Sequence, residues 1–188
     1  MKKVGSILEN KLKGLNDYIA LALVNSKKYQ KTNIEILRHL TQKENIPGIY
    51  VTINKPYNVM VTILKTNKID TDMIIFIDAI TKLGSEKELK KTENCLFIES
   101  PKDLSDIGIA MSQAIDSIKS KEKFIFLDSL STLLIYNHAG TVAKFMHFLT
   151  SKMRTWKVRG IIISLEKESD KDIIAELSQF CDITLNFK

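Results

Sequence analysis

Short apolar runs alternate with longer stretches in which apolar side chains recur every three or four residues, and this rhythm predicts the elements of the chain. Tyr18-Ile-Ala-Leu-Ala-Leu-Val24 is unbroken by any polar side chain over strand length, as in a central strand covered on both faces. Runs over 48–53, 73–77, 95–98, 124–127, 160–165 and 182–187 have the same character and predict six further strands. Between them, helical spacing predicts a helix over 31–43 carrying Ile34, Ile36, Leu37 and Leu40, stopped near Pro47-Gly48. Pro56 opens the next, with Val59, Met60, Ile63 and Leu64 on one face. Further helices are predicted over 103–118, over 139–156 with Val142, Phe145, Met146, Leu149 and Met153 in line, and over 169–179. Residues 1–16 read as an amphipathic helix or arm, residues 17–188 as one domain, and the polar stretch 81–93 as an exposed excursion.

Strands of four to seven apolar residues alternating with longer helices define an α/β chain: a three-layer sandwich whose mainly parallel central sheet is flanked by helices. In such sheets ligands sit beyond the carboxyl ends of the strands. Candidate chemistry therefore lies at Asn25 to Thr32, Asn54-Lys55, Asp78, Asp128-Ser129 and Glu166.

Composition narrows the classes. With 188 residues, 44% apolar and 27% charged, the chain is globular, and no apolar run approaches the roughly 18 residues of a membrane helix. A cytoplasmic location is expected. Cys95 and Cys181 are far apart, flanked by apolar residues, and read as buried free thiols. His39, His138 and His147 lack metal-ligand spacing. The net charge of +6 admits a nucleic-acid partner, and the cluster Lys152, Arg154, Lys157, Arg159 beside Trp156 is the candidate surface; Trp156 reads first as the amphipathic end of a helix and alternatively as a base-stacking platform.

The stretch after the first run, Asn25-Ser26-Lys27-Lys28-Tyr29-Gln30-Lys31-Thr32, can be written against the phosphate-loop pattern G-x-x-x-x-G-K-T/S. The final Lys-Thr is kept; Asn25 and Gln30 replace the glycines. Lys31-Thr32 also fits an ordinary helix start. Together with Gly48-Ile-Tyr-Val-Thr-Ile-Asn-Lys-Pro56, Phe76-Ile-Asp-Ala79 and Phe124-Ile-Phe-Leu-Asp-Ser-Leu-Ser131, taken in this order, the chain resembles the RecA superfamily of ATPases, and within it the KaiC-like group common in archaea. The resemblance spans roughly residues 15–188.

It implies a RecA-like P-loop fold and a vestigial nucleotide site made of Asn25, Ser26, Lys27, Lys28, Gln30, Lys31, Thr32 and Asp128, the last at the Walker B position. The family's two glutamates at the end of the second strand are replaced by Asn54 and Lys55, which cannot accept a proton from water. A non-glycine residue forced into the left-handed region costs about 1–2 kcal/mol, so the loop is expected to hold phosphate poorly. The expectation is a catalytically inactive RecA/KaiC-like domain, probed by no catalytic residue of its own, acting as a regulatory, binding or assembly module through protein partners or self-association. Alternatives are a sensor that binds ATP and magnesium weakly without turnover, and a nucleic-acid-binding module.

Overall fold

All seven predicted strands form, and they lie in one sheet. The computed structural model describes residues 4–84, 92–166 and 171–187; the distal part of the 81–93 excursion falls outside them. The strands are β1 (Tyr18–Val24), β2 (Gly48–Thr52), β3 (Ile74–Asp78), β4 (Cys95–Phe97), β5 (Phe124–Asp128), β6 (Arg159–Leu165) and β7 (Ile183–Phe187). Their order is β4-β3-β2-β5-β6-β1-β7, and every pairing is parallel. Parallel strands need crossovers; among the described residues α2 (Tyr29–Arg38), α3 (Tyr57–Thr66), α4 (Leu104–Ser117), α5 (Leu130–Tyr136), α6 (Ala139–Trp156) and α7 (Lys171–Ser178) lie in those connections, and α1 (Val4–Leu12) precedes β1.

Side chains alternate across each strand, so each divides its apolar residues between two cores. Ile49, Val51, Ile125, Leu127 and Ile162 face α4 to α7. Tyr50, Phe76, Phe124, Phe126 and Ile161 face α1 to α3. The second core is aromatic: Tyr50 stacks on Phe126 with ring centres 5.1 Å apart, and Tyr57 meets Phe76 edge-on at 5.1 Å. Among the described residues no helix is long and apolar enough to cross a membrane.

Two elements depart from the sequence expectation. α2 starts at Tyr29, two residues earlier than expected, and gives way to a π turn at His39–Lys43. Residues 130–136, for which the sequence pattern predicts no element, form α5. Seven residues are too few to display a helical period, and the buried Leu130 and Leu133 hold this helix to the sheet.

At the amino ends of the strands, Arg159 is nearly buried. Its Nε donates to the Asn16 carbonyl at 3.1 Å, its Nη2 to Glu122 at 2.6 Å and its Nη1 to Glu44. Glu44 also contacts His39 Nε2 at 3.0 Å. Burial acts to raise the Glu44 carboxyl, but the His39 hydrogen bond and the Arg159 charge outweigh it and hold the group below its usual range. A depressed carboxyl contributes stability above its unfolded pKa and loses it as pH falls through the folded value. Because Glu44 is 23% exposed, Arg159→Met is expected to cost about 2 kcal/mol at pH 7, less than a fully buried pair. The deficit should shrink below the unfolded value of 4.5; urea melts at pH 7 and pH 4 check both parts.

Candidate functional site

The connections leaving β2 and β5 diverge. α3 returns on the face of α1 and α2, whereas α5 and α6 return on the other. Neighbouring strands whose crossovers part in this way leave a crevice at their carboxyl ends, where α/β proteins place ligands. Here β2 and β5 are held together to their ends, with the Ile53 amide donating to the Asp128 carbonyl at 2.8 Å.

The chain's own polar side chains fill that crevice. Asn54 Nδ2 donates to the Tyr29 hydroxyl at 2.6 Å, and lies 3.3 Å from both Asp128 Oδ1 and Ser129 Oγ. Thr132, one turn into α5, donates to Asn54 Oδ1 and shares a hydrogen bond with Ser129 at 2.9 Å. Tyr50, wholly buried inside β2, donates its hydroxyl to Asp128 Oδ2. The Asp128–Ser129 peptide is cis. Asp128 is 2% exposed, and its hydrogen-bond donors Tyr50 and Asn54 are both uncharged. Burial pushes its carboxyl up to about 8, because water is withdrawn and no cation replaces it. Asn33, 4% exposed, lies beside this group in a small cavity shared with Tyr50, Met60 and Asp128, and its Oδ1 has no partner.

The 25–32 stretch is helical. Asn25 is extended (φ −66°, ψ 134°), and its Oδ1 accepts the Lys27 amide at 3.0 Å, starting a 3-10 turn over Ser26–Lys28 that runs into α2. The helix passes back through Gln30, whose Oε1 accepts Lys55 Nζ at 2.8 Å. No glycine interrupts the run, and Asn25 takes an extended rather than a left-handed conformation. Successive helical residues point about 100° apart, which separates the Lys-Thr pair. Lys31 stands 81% exposed, 4.0 Å from Glu35, while Thr32 is 2% exposed and faces inward. Ser26 and Lys27 are exposed, and Lys28 is half-buried.

Other sequence candidates do structural work. Asp78 accepts the amides of Tyr57, Ile80 and Thr81 at 2.6, 2.9 and 2.8 Å, fixing the start of α3 and the turn after β3. Glu166 follows β6, its amide bonded to the Val24 carbonyl at 3.1 Å. Within the basic cluster near Trp156, Arg154 pairs with Asp182 at 2.8 Å and Arg159 is turned inward, while Lys152 and Lys157 are exposed. Trp156 is half-buried against the α4–α7 core. Burial raises the thiol of Cys95 strongly and that of Cys181 to about 11. Among the described residues no three His, Cys, Asp or Glu side chains converge as metal ligands.

Sequence reading missed Tyr50 and Thr132, and included Tyr29 only as a member of the 25–32 stretch. One signal was available: a tyrosine inside a wholly buried strand needs a partner for its hydroxyl. The register that sets Thr52 opposite Asp128 supplies one on the neighbouring strand.

The model of a family described as a family of unknown function, DUF7504, matches residues 23–187. No curated protein matches the chain. Among solved structures, the chain is similar to a KaiC-like protein from the hyperthermophilic archaeon Pyrococcus horikoshii OT3, with a TM-score of 0.64 and 11% identity, over 91% of this chain and 73% of that one. At that identity the likeness is one of fold, and the fold is RecA-like.

Proposed function

The chain belongs to DUF7504, a family of unknown function, and from that premise we propose that it is a RecA/KaiC-like domain that does not turn over ATP and serves as a binding, regulatory or assembly module. The observation that carries this reading is the helix running back through Gln30. A phosphate loop needs successive backbone N–H groups curled round an anion ahead of the helix; here those groups belong to the 3-10 turn and the first turn of α2. Lys31 and Thr32 point in different directions, and Asp128 is engaged by Tyr50 and Asn54. The residues present do not fit a magnesium nucleotide, so no reaction step is assigned to one. Lys55, bonded to Gln30, supplies a cation where a general base would be needed.

Purified protein incubated with millimolar ATP and magnesium is expected to release no phosphate above a blank, and to show no change in melting temperature with nucleotide. Magnesium-dependent turnover that disappears in Lys31→Ala would overturn the proposal.

A further inference from the structure

We infer that the groove between α2 and α3 binds the phosphate backbone of a nucleic acid. It begins beside the strand-end crevice, at Ser26, Tyr29 and Lys55, and runs along α2 to Arg38, and it rests on the reading that this end holds no nucleotide. Lys27, Lys31 and Arg38 line it along the 3-10 turn and α2, and Lys55, whose Nζ donates to Gln30 Oε1 at 2.8 Å, lines it from the loop before α3. From Ser26 to Arg38 the row extends roughly 18 Å at 1.5 Å per residue. At its far end Arg38 Nη2 donates to the Asn67 carbonyl at 3.0 Å, tying α2 to the end of α3. Glu35 is the acidic residue in the groove, and it lies at the outer limit of an ion pair with Lys31.

The charge of the whole chain points to the same face. Residues 1–72, which hold α1 to α3, contain 12 Lys and Arg against 6 Asp and Glu, whereas residues 73–188 contain 16 of each. The net +6 therefore lies within residues 1–72, whose helices α1 to α3 cover one side of the sheet. A one-sided field of this kind draws in polyanions.

The lining selects among polyanions. Lys and Arg, together with the amide of Gln30 and the hydroxyl of Ser26, are the groups that contact phosphate oxygens. Protein interfaces are anchored by aromatic or aliphatic side chains entering pockets. In this groove Ile34 is 8% exposed and Tyr29 has its hydroxyl engaged by Asn54. Interfacial helices set a face of several apolar side chains beside the charge, whereas α3 exposes the single aliphatic Val59 at 41%, and the two most exposed large apolar side chains, Ile135 at 70% and Ile109 at 56%, stand on helices of the opposite face. Without an exposed ring for base stacking, binding should ignore sequence.

The test is fluorescence anisotropy of the full chain with a labelled 20-base-pair DNA duplex and a single-stranded RNA of arbitrary sequence. With four phosphate contacts, affinity for the duplex should fall roughly a hundredfold between 50 and 200 mM salt. The double variant Lys27→Gln/Lys31→Gln should lower the log-log salt slope by about two and weaken binding at least about tenfold at 50 mM, with an unchanged circular dichroism spectrum. Lys152→Gln/Lys157→Gln, on α6 and just beyond it, should bind as wild type does. No binding at 50 mM salt, equal binding by the Lys27/Lys31 variant, equally effective competition by poly-glutamate, or tighter binding to phosphatidylserine vesicles than to the duplex would each overturn the inference.

Discussion

Replacing Gly48 with alanine is expected to leave little folded protein at 37 °C. Gly48 opens β2, the strand between β3 and β5, directly opposite Phe124. A Cβ added there would lie 2.4 Å from Phe124 Cδ1 and Cγ and 2.5 Å from the Phe124 carbonyl oxygen. The ring has no room to swing away, because Phe124 is wholly buried in the aromatic core. The carbonyl cannot move without parting two central strands, and the Phe124 amide is itself tied to the Pro47 carbonyl at 3.1 Å. Overpacking of this kind, against backbone, belongs with the rare substitutions costing about 4–5 kcal/mol, in a domain whose total stability is of order 5–15 kcal/mol. Gly160→Ala is the control. There the added Cβ meets the Met153 sulfur at 2.8 Å, a flexible side-chain end, with the Tyr18 carbonyl at 3.5 Å. Its cost should be about 1 kcal/mol. Soluble yield and urea unfolding followed by circular dichroism separate the two. A Gly48→Ala protein within about 1 kcal/mol of wild type would mean that the strands do not approach as closely as described.

Gly48 also illustrates what the sequence made legible. The run from Gly48 to Ile53 is readable as a strand because it is a short, almost unbroken apolar stretch, and the same signal places all seven strands. Parallel pairing followed from the alternation with helices. The close approach to Phe124 was not readable, since it depends on which strand lies beside β2, and strand order is set by crossovers over whole domains. The same limit applies at the strand ends. Asn54, Asp128 and Ser129 could be nominated one by one as polar residues following strands. That a single crevice collects them, with Tyr29 from α2 and Tyr50 from within β2, is a property of the β2–β5 neighbourhood. The 25–32 stretch shows a different limit. Its likeness to a phosphate loop is a matter of residue identity at fixed spacing, whereas its path is decided by local backbone preference. Asn25 capping Lys27, and no glycine before Thr32, are sufficient for helix. The basic cluster at 152–159 shows a third limit: charge read along a sequence carries no information about partners such as Asp182 and Glu44, which come from distant segments and engage Arg154 and Arg159.

Asp128→Asn is expected to stabilise the protein at pH 8, the opposite of what loss of a working magnesium ligand would do. The wild-type carboxyl has a folded pKa near 8 against 3.8 in the unfolded chain, through burial alone. Between those values the folded state keeps a proton that the unfolded state has released. Stability therefore falls as pH rises through this window, by up to about 1.4 kcal/mol per pH unit, and levels off above the folded pKa. Asparagine carries no charge to desolvate. Its Oδ1 can go on accepting from Asn54 Nδ2, and its amide can donate to the Tyr50 hydroxyl, which in the wild type donates to Asp128. The gain should be absent at pH 4 and reach a few kcal/mol at pH 8, or several degrees in melting temperature for a domain of this size. Melting curves of both proteins from pH 4 to pH 8, each with and without ATP and magnesium, give the answer. The wild-type curve should slope downward, the variant curve should be flatter, and nucleotide should move neither. A variant that melts lower at pH 8, or a nucleotide-dependent shift present in wild type and lost in Asp128→Asn, would show that Asp128 is held ionised for a ligand rather than kept neutral by burial in the surrounding core.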